Sequence, residues 1–416
     1  SKFLWDFGDG QKSEQPNPDH VYLRSGLYAV KLAVRHGGKT YEIASRVYID
    51  QPKITDSAKF HHLDDYVRVL ETYDPRVMDP ASLKQLVQAF QAKADALVAA
   101  PEPADGTSDQ AAQRPRAQVD PAKKAQAMRF IAAAVDAGKT AFADDSTAKG
   151  DGELIQLARI VGPMARDQLG NAQITGTVWR GAAMKIGAKE LQAECLVEAA
   201  DVAINDLVNV HGAKPLLDAA TKVLGGDRSG PIANRFFRVW GDYYALTGDG
   251  KSARRAYNEA ETALSQRKSL IERTAWQGAR GRSTEQYLRS GEFDRAIAEI
   301  RQWQDEFPAD KITGLVTWMY ARYWYGREKY AQAIALASQL SAVNADSPYI
   351  DQLQTLVAEC HLAMGSPEKA AATLESFLKS FPGSPLVPEV KERLAQIKAG
   401  ETAPKKPKKA ARSAEK

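Results

Sequence analysis

Cysteine is almost absent. The 416 residues include two, Cys195 and Cys360, too few for a disulfide framework. Each falls within an apolar helical pattern, Leu191, Cys195, Ala199 and Leu356, Cys360, Met364, which predicts two buried thiols. So little cysteine leaves the cellular compartment open. No run of about twenty apolar residues occurs, which excludes a membrane-spanning helix. The chain opens on Ser1, with neither an initiating Met nor a signal-peptide pattern, so the N-terminus reads as a processing or fragment boundary. Histidine is scarce. Only His61 and His62 adjoin, and neighbours on a helix point to different faces. His61 and Asp65 share a helix face, but one imidazole and one carboxylate do not make a metal site. There is no Walker loop, dinucleotide glycine fingerprint, HExxH, CxxC or nucleophile elbow. The expectation is a chain with no catalytic residues, no metal and no cofactor of its own. Excess charge is missing too. The net charge is +4, and Lys405, Lys406, Lys408, Lys409, Arg412 and Lys416 supply much of it from the tail. The body is near neutral and lacks a basic nucleic-acid footprint.

What is present is 44% hydrophobic and 26% charged, the balance of a soluble globular protein long enough for about three domains. The chain repeats on itself over residues 231–398. Ala253, Ala296, Ala333 and Ala370 mark the register, spaced 43, 37 and 37 apart. Gly248 and Gly291 stand five residues before the first two markers, and Tyr244 and Tyr287 stand four before those. Tyr257, Ile300, Ala337 and Leu374 follow the markers, then Ala260, Trp303, Leu340 and Phe377. Phe307-Pro308 and Phe381-Pro382 close two of the units. Small residues at fixed places let helices approach, large ones fill the space between, and Pro stops a helix.

This spacing resembles the tetratricopeptide repeat. The first unit carries it best, in Phe237, Trp240-Gly241, Tyr244, Gly248, Ala253, Tyr257 and Ala260. Later units are worn. Thr284 and Ala358 replace the family's small glycine, and Glu328 stands at the turn glycine. The periods exceed the usual length of about 34, so helices or linkers are longer. The resemblance implies an α-solenoid of helix pairs in which each unit touches only its neighbours.

Residues 1–51 read as strands. Phe3, Trp5 and Phe7 alternate with Leu4 and Asp6, then Gly8-Asp9-Gly10 signals a turn. Leu27 to Val34 and Tyr41 to Ile49 alternate again, with His36-Gly37-Gly38-Lys39 as the hairpin between them. Two carboxylates, Asp6 and Asp9, are too few for calcium and suit turn amides better. The motif Trp5-Asp6-Phe7-Gly8-Asp9-Gly10, with Pro18-Asp19-His20-Val21-Tyr22, Gly26-Leu27-Tyr28-Ala29-Val30 and Leu32-Ala33-Val34, resembles the polycystic-kidney-disease (PKD) domain. The family implies an immunoglobulin-like β-sandwich. Four residues precede Trp5 where the family places further strands, so the expected sandwich is partial, truncated at its N-terminus.

Between these regions the pattern predicts a helical segment over 57–99, with Asp79-Pro80 opening its second helix. A Pro- and Ala-rich disordered linker follows over 100–121. Residues 122–224 predict helices broken at Gly162-Pro163 and Gly170-Asn171, read as degenerate repeats. Gly225 to Gly230 is a break. Residues 399–416 form a basic, disordered tail.

The fold class expected is therefore multidomain, a partial β-sandwich followed by an all-α region and solenoid. The function expected is non-enzymatic protein–protein interaction, with the solenoid groove binding a peptide or protein and the PKD-like part serving as spacer or adhesion module. The family resemblance implies an exported, bacterial cell-envelope setting. Carried over from the repeat register, the groove residues are Arg235, Arg238 and Asp242, then Glu285, Leu288 and Arg289, then Leu315, Trp318, Arg322 and Tyr325, then Gln352 and Glu359. Arg235, Arg238, Arg289, Trp318, Arg322 and Tyr325 suit a partner offering a carboxylate and an apolar anchor. The competing expectation is that the aromatics pack at seams and the arginines pair with Asp242 and Glu285. Two other functions stay open, the non-catalytic C-terminal portion of a larger secreted hydrolase and a nucleic-acid or anionic-surface binder acting through the tail.

Overall fold

The computed structural model describes residues 1–50, 63–99, 120–225, 232–264, 270–401 and 403. The expected linker, but for its last two positions, lies outside the described residues, as do His61, Gly226 to Gly230 and nearly all of the basic tail. The chain divides into two compact units, Ser1–Cys195 and Leu196–Lys416.

The first unit begins with β1 (Lys2–Asp6), β2 (Lys12–Ser13), β3 (Gly26–His36) and β4 (Lys39–Ile49). They form one antiparallel sheet in the order β2-β1-β3-β4. The β1–β2 turn needs glycine, with φ of +79° at Gly8 and +95° at Gly10. Asp6 accepts the Gly8 amide at 3.0 Å and Asp9 accepts the Gln11 amide at 3.1 Å, so both carboxylates stabilise the turn. Gly37 and Gly38 both take positive φ in the β3–β4 hairpin, as a two-residue primed turn requires. Register sets the faces. Trp5 pairs with Leu32 and Leu32 with Ile43, while Phe3 pairs with Val34 and Val34 with Tyr41. These side chains share one face, and on β4 that face is open, with Tyr41 55% and Ile43 64% exposed.

Helices follow, α1 (Leu63–Leu70), α2 (Pro80–Val98), α3 (Pro121–Lys139), α4 (Asp151–Pro163) and α5 (Ala172–Lys185). Asp79 caps α2 by accepting the Ala81 and Ser82 amides, with Pro80 at the first helical position. Leu83, Leu86, Val87 and Phe90 of α2 are buried with Ile131 and Val135 of α3 and Leu154, Leu157 and Val161 of α4. A Cβ on Gly138 would lie 2.3 Å from Val161 and 3.1 Å from Val87, so side chains of α2 and α4 press directly on α3 there. Gly162-Pro163 is not a break. α4 runs through Pro163 and ends in a π turn over Met164–Gln168, which makes i→i+5 bonds and absorbs the distortion. The helix ends just before Gly170, whose φ is +62°.

α6 (Lys189–Asp201) likewise continues into a π turn, Val202–Asp206. A turn with Val208 at φ +52° leads to Asn209, which caps α7 (Val210–Leu224) by accepting the Gly212 amide. Ten further helices form the array: α8 (Ala233–Leu246), α9 (Gly250–Ala263), α10 (Leu270–Ser290), α11 (Phe293–Glu306), α12 (Asp310–Thr313), α13 (Leu315–Gly326), α14 (Tyr330–Val343), α15 (Ile350–Ala363), α16 (Pro367–Ser380) and α17 (Val387–Lys398). The marker alanines are all buried. At the turn between paired helices Gly248, Gly291 and Gly365 have φ of +84°, +76° and +72°, and Glu328 takes the same conformation at +59°. Glu328 thus keeps the turn geometry of the three glycines with a residue that is strained in it.

The array is a solenoid of helix pairs, but its contacts are not confined to neighbours. α14, two units on, packs against both α8 and α9. Gly250 makes this possible, since a Cβ there would sit 1.7 Å from the Ala342 carbonyl oxygen. Gln332 Nε2 donates to the Asp206 carbonyl, and Val343 is buried with Ala245, Ala253 and Tyr257. The array coils tightly enough for its third pair to close on its first.

Candidate functional site

The first helix of each pair repeats one polar position. Eleven residues before the marker alanines stand Asp242, Glu285, Arg322 and Glu359. Each reaches the equivalent place on a neighbouring helix. Asn205 Nδ2 donates to Asp242 Oδ2 at 3.1 Å, Arg322 pairs with Glu285, and Arg393 of α17 grips Glu359 in a fork, Nε to Oε1 at 2.7 Å and Nη2 to Oε2 at 3.1 Å. The period that aligned the alanines therefore also builds a polar ladder.

At its N-terminal end the ladder is buried. Asp242 is fully enclosed and accepts from four elements. Tyr257 Oη of α9 donates to Oδ1 at 2.8 Å, and Lys311 Nζ of α12 lies 2.5 Å from the same oxygen. Arg238 Nη1 of its own helix lies 3.2 Å from Oδ2, beside the Asn205 amide. Arg238 is also 3.1 Å from Asp201 Oδ1, and its Nε lies 3.3 Å from Asp305 Oδ1. Burial pulls against the Arg238 charge, but Asp201, Asp305 and Asp242 outweigh it and hold the guanidinium above its ordinary pKa. Lys311 goes the other way, because burial outweighs the attraction of Asp242 and depresses it. Burial and Asp242 together push the Tyr257 phenol well up, which keeps it a donor. A second cluster adjoins. Arg273 Nη2 lies 2.5 Å from Asp310 Oδ1, and the Trp303 indole donates to Asp310 Oδ2 at 2.8 Å.

The sequence-predicted residues separate accordingly. Arg235 pairs with Glu198 and with Asp305 at 2.8 Å, and Glu198 foremost raises its pKa. Arg238 is 6% exposed, inside the hub. Arg289, Trp318, Arg322 and Tyr325 lie further along. Arg289 is exposed and bonds Glu285 at 2.6 Å. The Arg322 guanidinium sits 5.5 Å over the Trp318 ring while pairing with the same Glu285. Trp318 and Tyr325 are half-buried against the core beneath α13. The structure therefore brings Trp318, Arg322, Glu285 and Arg289 into one patch and draws Arg238 inward, while Arg235, partly exposed, is held by Glu198 and Asp305. Sequence reasoning missed Asp201, Asp305 and Lys311. The first was legible, since Asp201 and Asn205 precede Arg238 and Asp242 by the same 37 residues that separate later units. Lys311 lies between units and carries no periodic signal.

Cys195 and Cys360 are both buried, and burial foremost pushes the Cys360 thiol up to about 12. Among the described residues no group of three or more His, Cys, Asp or Glu is placed to hold a metal, and no helix is long and apolar enough to cross a membrane.

Residues 1–49 match the PKD domain family. The chain is 43% identical over 56 residues to collagenase ColQ1 of Bacillus cereus strain Q1, a stretch covering 13% of this chain and 6% of that protein. It is 40% identical over 57 residues to collagenase ColA of another Bacillus cereus strain, again 13% of this chain and 6% of the relative. The chain thus spans a small fraction of the curated relatives it matches, and the likeness is to their PKD module.

Proposed function

We propose that this chain is a non-enzymatic interaction protein in which a tetratricopeptide-type array presents a peptide-binding face and the PKD module is a spacer or adhesion element. One observation supports this above the others. On the first helices of the second and third pairs, Trp318, Arg322 and Arg289 form a partly exposed aromatic and cationic patch around one carboxylate, Glu285, while Tyr325 lies further along α13 beside Tyr330. A peptide carboxylate can replace Glu285 on a guanidinium fork, and an apolar side chain can lie beside Trp318. Arg238 drops out of this face because it is buried among Asp201, Asp242 and Asp305, and Arg235 because it is held between Glu198 and Asp305. The names of the matched relatives favour an exported setting. The test is peptide binding read by fluorescence anisotropy, comparing peptides with free and amidated C-termini. Binding that needs the free carboxylate, and that Arg289→Glu with Arg322→Glu abolishes without moving the melting point, is the expected result. Retained binding in that double variant sinks the proposal.

A second reading rests on the collagenase relatives. Here the chain is the non-catalytic portion of a larger secreted hydrolase. Sequencing the complete reading frame tests it. A catalytic domain in the same frame supports it, and a frame without one removes it.

A further inference from the structure

Away from the array, the strand module keeps one long edge open. Among the described residues β4 pairs with β3 on one side and has no strand on the other. Lys39 to Tyr48 are all exposed, and only Ile49 is partly covered. The opposite edge, β2, is two residues long and offers little to pair with. A long edge is a row of unpaired amides and carbonyls, ready to take another strand, and proteins commonly blunt it with proline or a bulge. β4 has neither. It contains no proline, and its register with β3 runs unbroken from His36 and Lys39 to Gly26 and Ile49. Past the turn its charges are Glu42 and Arg46, one of each sign. Both are exposed, and within the described residues no ion pair engages either.

The hairpin decides which backbone groups face outward. A two-residue turn makes His36 and Lys39 a hydrogen-bonded pair, so Lys39 and every second residue after it aim amide and carbonyl at β3. Thr40, Glu42, Ala44, Arg46 and Tyr48 aim theirs away, and a new strand would meet those groups. Charge and length then select the strand that fits. Ala44 is the midpoint of β4, and Glu42 and Arg46 stand at equal distances either side of it. With a second β4 laid antiparallel and Ala44 opposite Ala44, every outward residue meets an outward residue. Glu42 then faces Arg46 twice, Thr40 faces Tyr48, and all positions from Lys39 to Ile49 are paired. On the other face Tyr41, 55% exposed, meets Val47, 37% exposed. Slipping the partner by one residue sets outward groups against inward ones. Slipping it by two loses both charge pairs, and by four sets Glu42 on Glu42 or Arg46 on Arg46. The register with full overlap is thus also the one that pairs the charges.

We propose that β4 is a self-recognition edge, on which two copies of the chain pair β4 to β4 about a two-fold axis through Ala44 and join their sheets into one. The contact is isologous, so it closes at two copies and leaves only the short β2 at each outer edge. A contact made by two strands alone falls below the roughly 1,200–2,000 Å² of tight complexes, so the dimer should be a weak one.

Sedimentation equilibrium on the intact chain, over about 1–200 μM, tests this. The unmodified chain should pass from monomer to dimer across that range. Glu42→Arg sets Arg against Arg46 at both places, and Arg46→Glu sets Glu against Glu42. Each alone should weaken the dimer about tenfold or more. Both positions are exposed, so neither substitution threatens the monomer's fold. Mixed in equal amounts, the two variants are complementary and should form a heterodimer about as tight as the original. Carrying both substitutions in one chain should restore the homodimer. Oxidised Ala44→Cys should trap that dimer, because opposed Cα atoms in a hydrogen-bonded pair lie about 5.5 Å apart, within reach of a disulfide. The native Cys195 and Cys360 are buried. A chain that stays monomeric at the top of the range overturns the proposal and leaves β4 to a strand of another protein or of a longer form of this chain. A dimer that both single substitutions leave intact also overturns it, as do variants that stay apart when mixed.

Discussion

The two ends of the polar ladder use one repeat position in opposite ways. At Asp242 the position is sealed, and four donors from four elements converge on a carboxylate with no solvent contact. At Glu285 and Arg322 the pair is about one-quarter exposed and lies on an aromatic ring at the surface. The same period sets both, so periodicity alone does not say whether a charge recognises a partner or holds the fold. What differs is the number of elements that meet at the position. Asp242 is enclosed by the π turn after α6, by α9 and by α12, and there the charges become internal. Glu285 and Arg322 meet only each other and Arg289 among the ion pairs of the described residues, and both keep about a quarter of their side chains exposed.

The largest effect should come from breaking the sealed end. Asp242→Asn keeps the shape but leaves Lys311 and Arg238 short of counter-charge in the interior. Removing one member of a buried ionic group costs about 3–5 kcal/mol. Urea denaturation should show that loss. Adding Lys311→Met should recover part of it, because the two residues interact directly. If the single and double variants lose the same amount, Lys311 is not held by Asp242 in solution.

A smaller loss is expected where the coil closes. Gly250→Ala places a Cβ against the Ala342 carbonyl, which is backbone and has nowhere to retreat. Overpacking of this kind costs about 1–3 kcal/mol. Gly365→Ala is the contrast, since nothing lies within 4 Å of its Cβ and only its φ of +72° resists. Hydrogen exchange should therefore show lost protection in both α9 and α14 for the first variant alone.

The open end should respond least. Glu285 is held below its usual value of 4.5, as bonds and charge from Arg322 and Arg289 outweigh its partial burial. A depressed carboxylate contributes stability above its unfolded pKa and loses it as pH falls through the folded one. Wild type should therefore lose more stability on acidification below about pH 4.5 than Glu285→Gln, by roughly 0.2–1 kcal/mol as for other exposed pairs. Parallel acid curves would mean that the pair contributes nothing.

Much of this molecule was legible in its residues. The Trp5 to Gly10 motif, the alternating strands and the Gly37-Gly38 hairpin announced an antiparallel sheet, because turn chemistry and side-chain alternation act locally. Ala253, Ala296, Ala333 and Ala370 announced the helix pairs for the same reason. What could not be read was the closure of α14 on α8 and α9. It depends on the accumulated rotation of successive units, and Gly250 signals it only once Ala342 is known to be near. Arg238 and Asp242 could be placed on the inner face of a helix, but what covers that face is a long-range property. Pro163 was misleading because a π turn accommodated it, and π turns leave no pattern in sequence.

Closure of the coil couples the first and third pairs, and Ala333→Trp should expose that coupling. Ala333 is 1% exposed within α14, and a Trp there must displace its surroundings. Hydrogen exchange across the array gives the answer. Closure predicts that α8 and α9 lose protection together with α14 while α17 keeps its own. Loss confined to α13, α14 and α15, with α8 and α9 as protected as in the unmodified chain, would contradict it.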